Sequence, residues 1–412
     1  MAHTIARPSS SQAPFVAVAG LSARMLAQSA ARAGLRVAAL DLFGDRDTRE
    51  ASAIWFDVSG PASNGLCIDG ARLVDALQRV TRLPNLLGWI GTSGIEPLAR
   101  ELLDAPGLPR LIGNSAEATA AVREPERFFA LLDALHIAHP AVSFTVPEVL
   151  HGWLFKRAHG CGGTHIEAAD SLDRGALFSL SSEKRGYFQR HSAGRSLSVL
   201  FIGARGEVSI LGFAEQLTCA LGNLPFVHAG AIGPIDLPPR VAAQVHEAVS
   251  ALCAHAGLTG INSCDFLLDG DAIQVLEINA RPSSTMTLYE AVWPHAWPRG
   301  LLACHIDACR RGKLPDPAPA HAAWRAGQQV LFSPRRFVAS QAFSDACLHD
   351  PACRDVPMPG TLVEAGQPVC TLVVRAPALA EVHRALTLQR DAVLERIETC
   401  HEPDYAFIHC HS

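Results

Sequence analysis

The sequence predicts a multidomain protein of mixed α/β and α+β class, and three observations support that prediction. Its 412 residues are enough for two to four domains with ample hydrophobic core. Residues 15–41 contain an apolar strand, a glycine turn, an Ala-rich amphipathic helix and a second strand, which is the pattern of a βαβ unit. Residues 261–282 contain two apolar runs separated by Asp269-Gly270-Asp271, a composition that favours a tight hairpin turn with positive φ.

Composition and charge argue against several classes of function. Apolar residues make up 49% of the chain and charged residues 18%, and the net charge of −5 offers no basic surface for nucleic acid. Residues 1–14 are expected to form a disordered polar tail without a signal-type apolar segment, and no run of about 20 apolar residues occurs. We therefore expect a cytoplasmic protein without a membrane or nucleic-acid partner.

The cysteines and the histidine-containing end give no strong signal for a metal site. The twelve cysteines are scattered, none forms a CxxC pair, and several lie inside apolar runs, so we interpret them as reduced core residues. His401 and His409-Cys410-His411 offer ligands for a transition metal, but a frayed chain end is the interpretation that we favour.

The glycine turn of the first unit raises the question of a dinucleotide site. Gly20-Leu21-Ser22-Ala23-Arg24 stands between the first strand and the first helix, where anions bind well. The turn lacks the second and third glycines of the dinucleotide fingerprint, so the backbone would not approach a pyrophosphate closely. We therefore disfavour NAD binding.

The same unit offers candidates for binding a different substrate. Further strands are predicted at Leu86–Ile90, which leads into a loop with Glu96, and at Leu111–Asn114. Loops at the carboxyl ends of parallel strands are where open α/β sheets hold ligands, so Ser22, Arg24 and Glu96 are candidates for a non-nucleotide substrate. A helix cap at Ser22 and a solvated carboxylate at Glu96 are the alternatives.

A lysine followed by a glycine-rich loop indicates a site for phosphate groups. A predicted strand delivers Lys156, and the loop after it contains Gly160-Cys161-Gly162-Gly163-Thr164. Lysine supplies a point charge for one phosphate, and backbone N–H groups without bulky side chains can fold over the others. The order differs from that of a Walker loop, in which the lysine follows the glycines.

Two acids and an amide converge on the predicted hairpin. Glu277 and Asn279 lie two residues apart, so their side chains point to the same face, and antiparallel pairing brings Asp265 beside them. Such an oxygen-only set suits Mg²⁺, which prefers a few carboxylates together with substrate phosphates. Arg281 follows on the same face and offers a guanidinium for phosphate oxygens. A wet surface hairpin is the alternative, but the apolar flanking residues favour a core sheet.

This hairpin resembles the metal-binding hairpin of the ATP-grasp superfamily, in which an acid, a Glu and an Asn hold two Mg²⁺ across the ATP phosphates. The resemblance rests on Glu277-Ile278-Asn279-Ala280-Arg281-Pro282 with Asp265 upstream. The loop after Lys156 is similar to the flexible loop of the same enzymes. The resemblance implies that ATP and two Mg²⁺ ions bind here, and that Lys156 and Arg281 stabilise the charge that develops at the reacting phosphate.

The resemblance also implies a nucleotide site beyond the phosphates. Gln189 would face the adenine amino group, with the backbone of Arg190 and His191 nearby. Ser196 stands where many relatives carry an acid for the ribose hydroxyls. A hydroxyl bonds there more weakly than a carboxylate, which leaves open whether ATP or another nucleotide binds.

Two further sets of residues follow from the resemblance. Superfamily members often carry a Lys or Arg early in the helix predicted over Glu124–Leu135, where Arg127 or Arg123 would serve. A solvated charge on the helix surface is an equal alternative. Ser283 and Ser284 enter a predicted helix N-terminus, which is a ready site for the acyl-phosphate or the substrate carboxylate, although ordinary capping explains them equally well.

The resemblance covers nearly the whole chain and implies its organisation. Residues 15–115 resemble the Rossmann-like domain that precedes the ATP-grasp fold, and residues 116–313 the two-lobed ATP-grasp domain, with a lid subdomain at about 141–190. After prolines that indicate a linker, residues 314–412 resemble a small β-rich C-terminal cap. The cap lacks the exposed lysine of a biotin carrier, so covalent biotin is not expected.

The function implied is that of a carboxylate–amine ligase. A substrate carboxylate would be activated as an acyl-phosphate and captured by an amine, with ADP and phosphate released. Resemblance to a subgroup of ATP-dependent carboligases suggests the biosynthesis of a methanopterin- or methanofuran-type one-carbon cofactor. A bicarbonate-using carboxylase and a non-catalytic nucleotide-binding protein are the alternatives, and a homodimer is left open.

Overall fold

The protein is described here by a computed structural model that covers residues 12–61, 66–158, 160–183, 185–319 and 321–400, apart from the side chains of Arg100 and Leu103. Most of the predicted tail and the His/Cys-containing end lie outside these residues. Within them, no helix combines the length and the apolar character needed to span a lipid bilayer.

The N-terminal unit is the predicted parallel α/β layer. Its sheet has the order β3-β2-β1-β4, with every neighbouring pair parallel. The strands are β1 (Phe15–Ala19), β2 (Arg36–Asp41), β3 (Ile54–Asp57) and β4 (Leu86–Gly91). The helices are α1 (Arg24–Arg32), α2 (Arg46–Ala51), α3 (Gly70–Val80) and α4 (Ala99–Asp104). The βαβ prediction for the start of the chain is therefore confirmed.

The strand predicted at Leu111–Asn114 is wrong, because this segment makes a single parallel bridge between Leu111 and Trp89. Asn114 explains why the segment leaves the sheet. Its amide oxygen accepts the N–H of Thr259 at 2.7 Å, and its amide nitrogen donates to Asn262 at 2.7 Å. The chain is thus turned away from the N-terminal unit and bonded to the central sheet.

Two helices and a small antiparallel sheet follow. The helices are α5 (Ala116–Arg123) and α6 (Pro125–Ala134). The small sheet has the order β5-β8-β6-β7 and corresponds to the predicted lid. Its strands are β5 (Val142–Ser143), β6 (Trp153–Arg157), β7 (Ile166–Ala168) and β8 (Gly186–Arg190), and it carries α7 (Arg174–Ser182).

An eight-stranded sheet of order β13-β12-β9-β10-β11-β14-β18-β16 forms the centre of the molecule. Its strands are β9 (Arg195–Ala204), β10 (Glu207–Leu221), β11 (Leu224–Gly233), β12 (Gly260–Asp269), β13 (Ala272–Asn279), β14 (Arg325–Phe332), β16 (Cys353–Arg354) and β18 (Pro368–Ala376). A two-stranded sheet pairs β15 (Phe337–Val338) with β17 (Leu362–Val363). The helices are α8 (Pro239–Ala256), α9 (Met286–Val292), α10 (Gly300–Arg311), α11 (Gln341–His349) and α12 (Leu379–Glu398). The C-terminal strands thus extend the sheet that carries the hairpin.

The N-terminal unit is joined to the C-terminal segment by a buried ion cluster. Arg24, which is 5% exposed, donates from Nε and Nη2 to the two carboxylate oxygens of Asp355 at 2.8 and 3.2 Å. Ser22 donates its hydroxyl to Asp355 at 3.0 Å, and Asp47 accepts the backbone N–H groups of Asp355 and Val356 at 3.0 Å. Two of the residues predicted to bind substrate, Ser22 and Arg24, are therefore engaged in a contact between the N-terminal unit and the C-terminal segment.

We predict that Arg24→Met lowers the free energy of unfolding by about 3–5 kcal/mol, because it leaves buried carboxylates without their cation. Arg390→Met is the matched control, since Arg390 pairs with Asp391 at the surface, where the two side chains are 43% and 52% exposed, and exposed pairs add little. Urea denaturation measures both. Equal stability of the two variants would contradict the structural role of Arg24.

Candidate active site

The predicted hairpin is formed by β12 and β13 at the edge of the central sheet. Asp269 pairs with Ala272, so the turn consists of Gly270 and Asp271, and Gly270 has the predicted positive φ of 58°. Phe266 and Ile278 are fully buried. The interpretation as a core hairpin is therefore confirmed, and the wet surface alternative is excluded.

The hairpin brings its two acids and its amide together. Asp265 lies directly opposite Glu277, and Ser263 lies opposite Asn279. The amide nitrogen of Asn279 donates to Asp265 Oδ2 at 3.3 Å and to Glu277 Oε1 at 3.4 Å. The predicted convergence of the three side chains is therefore present.

Burial and neighbouring charges shift the pKa values of Asp265 and Glu277 in opposite directions. Burial raises the pKa of Asp265, and the neighbouring Glu277 carboxylate raises it further. Burial alone would also raise the pKa of Glu277, but Arg123, Lys156 and His165 together lower it below its usual range. The surrounding cations therefore stabilise the Glu277 carboxylate, while burial and the neighbouring charge disfavour a second negative charge on Asp265.

The donor set fits a hard cation such as Mg²⁺, which takes oxygen ligands. The described residues include no cluster of three or more His, Cys, Asp or Glu side chains suited to a metal. The site instead offers two carboxylates, and a third oxygen from Asn279. The amide oxygen of Asn279 accepts from Arg281 Nη2 at 3.1 Å, so the amide must turn to present that oxygen to a cation.

Lys156 faces the two acids from the lid sheet. Lys156 is the penultimate residue of β6 and is buried, with 7% exposure. Within the described part of the chain, its ammonium forms no hydrogen bond or ion pair at contact distance. Burial lowers the pKa of Lys156, while the charges of Glu277 and Asp265 oppose that shift. A buried cation without a direct partner fits an anionic ligand at this position.

The glycine-rich loop packs against β11. Gly162 accepts the backbone N–H of His228 at 2.9 Å, and Thr164 donates its hydroxyl to Cys161 O at 3.1 Å. Gly163 has φ +73°, and a Cβ there would lie 1.8 Å from Phe226 O. The backbone at Gly163 therefore lies so close to Phe226 that only glycine fits at this position.

Arg123, rather than Arg127, reaches this site. Arg123 donates to Gly160 O at 2.9 Å and lies 3.5 Å from Glu277 Oε2, so it joins the loop to the metal hairpin. The exposed Arg127 instead pairs at the surface with Glu117 and Glu124. Of the two candidate arginines, Arg123 is therefore the one that lies near the hairpin, because it ends α5, whereas Arg127 belongs to the helix that begins at Pro125.

The residues predicted around the adenine and ribose are only partly arranged as expected. Gln189 is buried, and its amide nitrogen has no hydrogen-bond partner in the described structure, which fits an adenine acceptor at that place. Arg190 is exposed and donates to His151 O at 3.0 Å, while the backbone N–H of His191 donates to Gly152 O at 3.0 Å. Ser196 donates its hydroxyl to Gln216 at 2.7 Å.

The substrate candidates are divided between the site and the interior. Glu96 accepts from Arg281 Nε at 2.5 Å, so the N-terminal unit contributes an acid to the hairpin. Burial alone would raise the pKa of Glu96, but the guanidinium groups of Arg281 and Arg123 lower it below its usual range. Ser283 accepts from Thr285 at 3.2 Å, and Ser284 accepts from Gln328 at 2.9 Å. Both serine hydroxyls are therefore bonded within the protein.

Comparison with known proteins agrees with this arrangement. The family model described as an ATP-grasp domain matches residues 129–285. The carbamoyl phosphate synthase large chains of Methanoculleus marisnigri and Myxococcus xanthus are 25% identical over 211 residues and 26% identical over 246 residues. These matches cover 46% and 54% of this chain. The chain spans only 19% and 22% of those two curated relatives.

Solved structures share the fold over almost the whole chain. Biotin carboxylase from Campylobacter jejuni has a TM-score of 0.67 at 13% identity and covers 93% of this chain and 95% of its own. Carboxyaminoimidazole ribonucleotide synthase from Aspergillus clavatus has a TM-score of 0.65 at 16% identity, with 94% and 99% coverage. Residues 129–285 are therefore an ATP-grasp domain in a mixed α/β fold. This match places an ATP-grasp domain where the motifs predicted it.

We predict that Gly163→Ala frees the glycine-rich loop, because the new methyl group would collide with Phe226 O. Gly162→Ala is the control, since Gly162 has a similar φ of +64° but no atom within 4 Å of its added Cβ. Hydrogen–deuterium exchange over residues 160–166 should accelerate about tenfold or more in Gly163→Ala beyond the control, as loss of backbone bonds implies. Equal exchange in both variants would contradict the tight contact.

Proposed function

We propose that the protein is an ATP-dependent ligase that activates a carboxylate as an acyl-phosphate and joins it to an amine, with release of ADP and phosphate. One observation carries the proposal. Beside an ATP-grasp hairpin, the buried Asp265 and the half-buried Glu277 lie opposite each other. Lys156 and Arg123 lie near this pair, and Arg281 follows the hairpin strand that carries Glu277. Five charged groups that face one another in this way suit the transfer of a phosphoryl group.

The roles follow from the positions of the side chains. Lys156 binds and orients the nucleotide phosphates, and Gly160, Gly162, Gly163 and Thr164 cover them and exclude water. Gln189 donates its unpartnered amide to the base, with the Arg190 and His191 backbone and Ser196 beside it. Asp265, Glu277 and Asn279 hold Mg²⁺, which when bound neutralises the phosphates and polarises the reacting phosphoryl group.

The chemistry balances as two displacements. A substrate carboxylate oxygen attacks the γ-phosphorus, the bond to the bridging oxygen of ADP breaks, and Arg281 stabilises the charge on the transferring group. The amine nitrogen then attacks the acyl carbon, phosphate leaves, and the nitrogen loses a proton to form the amide. Glu96, held as a carboxylate by Arg281, is the acid nearest to the hairpin from the N-terminal unit and positions that guanidinium.

Bicarbonate is the second candidate for the carboxylate. It is favoured by the fold shared with a solved 2-oxoglutarate carboxylase domain whose structure contains MgADP and bicarbonate, a match with TM-score 0.65 at 13% identity. The same residues would then form carboxyphosphate, and ADP release would depend on bicarbonate alone. A protein that binds ATP without turnover under any condition would instead be a nucleotide-binding protein.

The remaining expectations concern the setting of the reaction. The role in a methanopterin- or methanofuran-type cofactor pathway, the homodimer and the cytoplasmic location stay predictions from the resemblance. Ser22, Arg24, Ser283 and Ser284 would act on the substrate only if their present hydrogen bonds exchange for substrate contacts.

The proposal is tested by ADP release from Mg²⁺-ATP with a panel of carboxylates, each with and without amino acids, and with bicarbonate in a separate arm. We expect turnover to require one carboxylate and one amine. Glu277→Gln should lower it about a hundredfold or more, because a charge aimed at the reacting phosphates is lost. Glu207→Gln, at the exposed first residue of β10, is the control. Undiminished turnover in Glu277→Gln would exclude this mechanism.

A second prediction concerns the two candidate arginines. Arg123→Ala should weaken Mg²⁺-ATP binding about tenfold or more, because it removes charge-assisted bonds to Glu277 and to the loop. Arg127→Ala should leave the affinity unchanged, since Arg127 pairs with Glu117 at the surface. Titration calorimetry measures both. A larger loss of Mg²⁺-ATP affinity in Arg127→Ala than in Arg123→Ala would instead assign the phosphates to Arg127.

A further inference from the structure

A cavity of about 220 Å³ lies between the N-terminal unit and the hairpin. Its walls come from the end of β4, from α4, from residues 108–114, from the start of α5 and from the turn after β13. The catalytic roles proposed above use only its charged edge. Most of its lining has no assigned task.

The cavity is apolar on the side of the N-terminal unit. Trp89, Ile95, Leu102, Leu108 and Ile112 form this side. A ligand atom here loses contact with water and meets hydrocarbon, which favours an apolar group. A dry cavity of about 150 Å³ accepts a benzene molecule, so this one has room for a single aromatic ring with a short extension.

The cavity is charged where it meets the hairpin. Two guanidinium groups, those of Arg123 and Arg281, and one carboxylate, that of Glu96, lie in this wall. Among the residues that line the cavity, the positive groups outnumber the negative one, which favours an anionic ligand group there. Arg123 also approaches Glu277, and Arg281 also contacts Asn279, so an anion held by both arginines lies beside the proposed metal ligands.

We propose that this cavity binds the substrate as an apolar carboxylic acid, with its ring or hydrocarbon body against the N-terminal unit and its carboxylate between Arg123 and Arg281. The assignment rests on the proposed function for the identity of the reacting carboxylate. Charge complementarity fixes the orientation, because the carboxylate is drawn to the arginines and the hydrocarbon to the opposite wall. Bicarbonate, which lacks a hydrocarbon body, would leave the apolar wall without a ligand group.

The test titrates the full chain, without nucleotide, with each of three probes and measures binding by NMR. Phenylacetate carries both groups, acetate lacks the ring, and 2-phenylethanol lacks the carboxylate. We expect phenylacetate to bind about tenfold more tightly than either partial probe, since a buried ring and a paired carboxylate each contribute at least that factor. Equal affinity for phenylacetate and acetate overturns the proposal.

Two variants locate the binding site. Ala116→Phe places a ring in the cavity. It should weaken the binding of phenylacetate about tenfold and leave the affinity for acetate unchanged. Ala71→Phe, on the exposed face of α3, is the matched control and should change neither affinity. Leu102→Ala enlarges the cavity without adding a side chain and should improve binding of 1-naphthylacetate relative to phenylacetate. Unchanged probe affinities in both cavity variants overturn the proposal.

Two outcomes separate this inference from the proposed ligase function. If phenylacetate binds in the cavity but no carboxylate and amine pair produces ADP release, the cavity assignment stands and the ligase proposal fails. If acetate and phenylacetate support ADP release with the same kcat/KM, the ligase proposal stands and the cavity assignment fails.

Discussion

Two carboxylates set opposite each other in the central sheet, one buried and one half-buried, impose the constraint on which the rest of the site depends. Two like unit charges about 4 Å apart repel by about 4 kcal/mol at the effective dielectric of a protein surface, and burial adds a further cost. The fold meets this cost with cations from separate elements. Arg123 arrives from α5 and Lys156 from the lid sheet, while Asn279 donates to both acids from the hairpin itself. The lid sheet, α5 and the hairpin thus each contribute a group that offsets the negative charge of the two acids.

The same balance links the N-terminal unit to the chemistry. Arg281 is shared between Glu96, which follows β4, and Asn279, which ends β13. A shift of the N-terminal unit therefore moves an acid that directly positions a guanidinium at the hairpin. The substrate cavity is bounded by both partners, so the apolar lining and the charged edge are held at a fixed separation by this ion pair.

Local sequence patterns were sufficient to predict those residues whose arrangement is fixed by the neighbouring chain. Asp265, Glu277 and Asn279 were found because a period of two and a two-residue turn fix which side chains share a face. Lys156 and the glycines were found because their order along the chain is specific. The N-terminal βαβ unit followed from apolar runs and a glycine turn, and its first strand is confirmed at Phe15–Ala19.

Residues whose roles depend on distant partners were not predictable in the same way. Ser22 and Arg24 lie where the chain passes from β1 into α1, a place typical of ligand binding, but both are hydrogen-bonded to Asp355, which lies far along the chain. Arg123 and Arg127 were both candidates from the sequence, and Pro125 was a usable signal for separating them, since proline favours the first turn of a helix and places Arg123 in the preceding one. Leu111–Asn114 has the composition of a strand, but the bonds of Asn114 to the central sheet draw it away.

The continuity of the central sheet has a consequence for any shortened form of the protein. Every residue proposed to contact the nucleotide or the metal precedes β14, so a chain cut at the proline-rich segment near residue 315 would retain them all. It would also lose the strand that pairs with Gly230–Gly233 on β11. An unpaired row of backbone N–H and C=O groups would then face solvent as an open sheet edge, which recruits strands from other molecules. The C-terminal segment thus protects the protein from aggregation, whatever else it does.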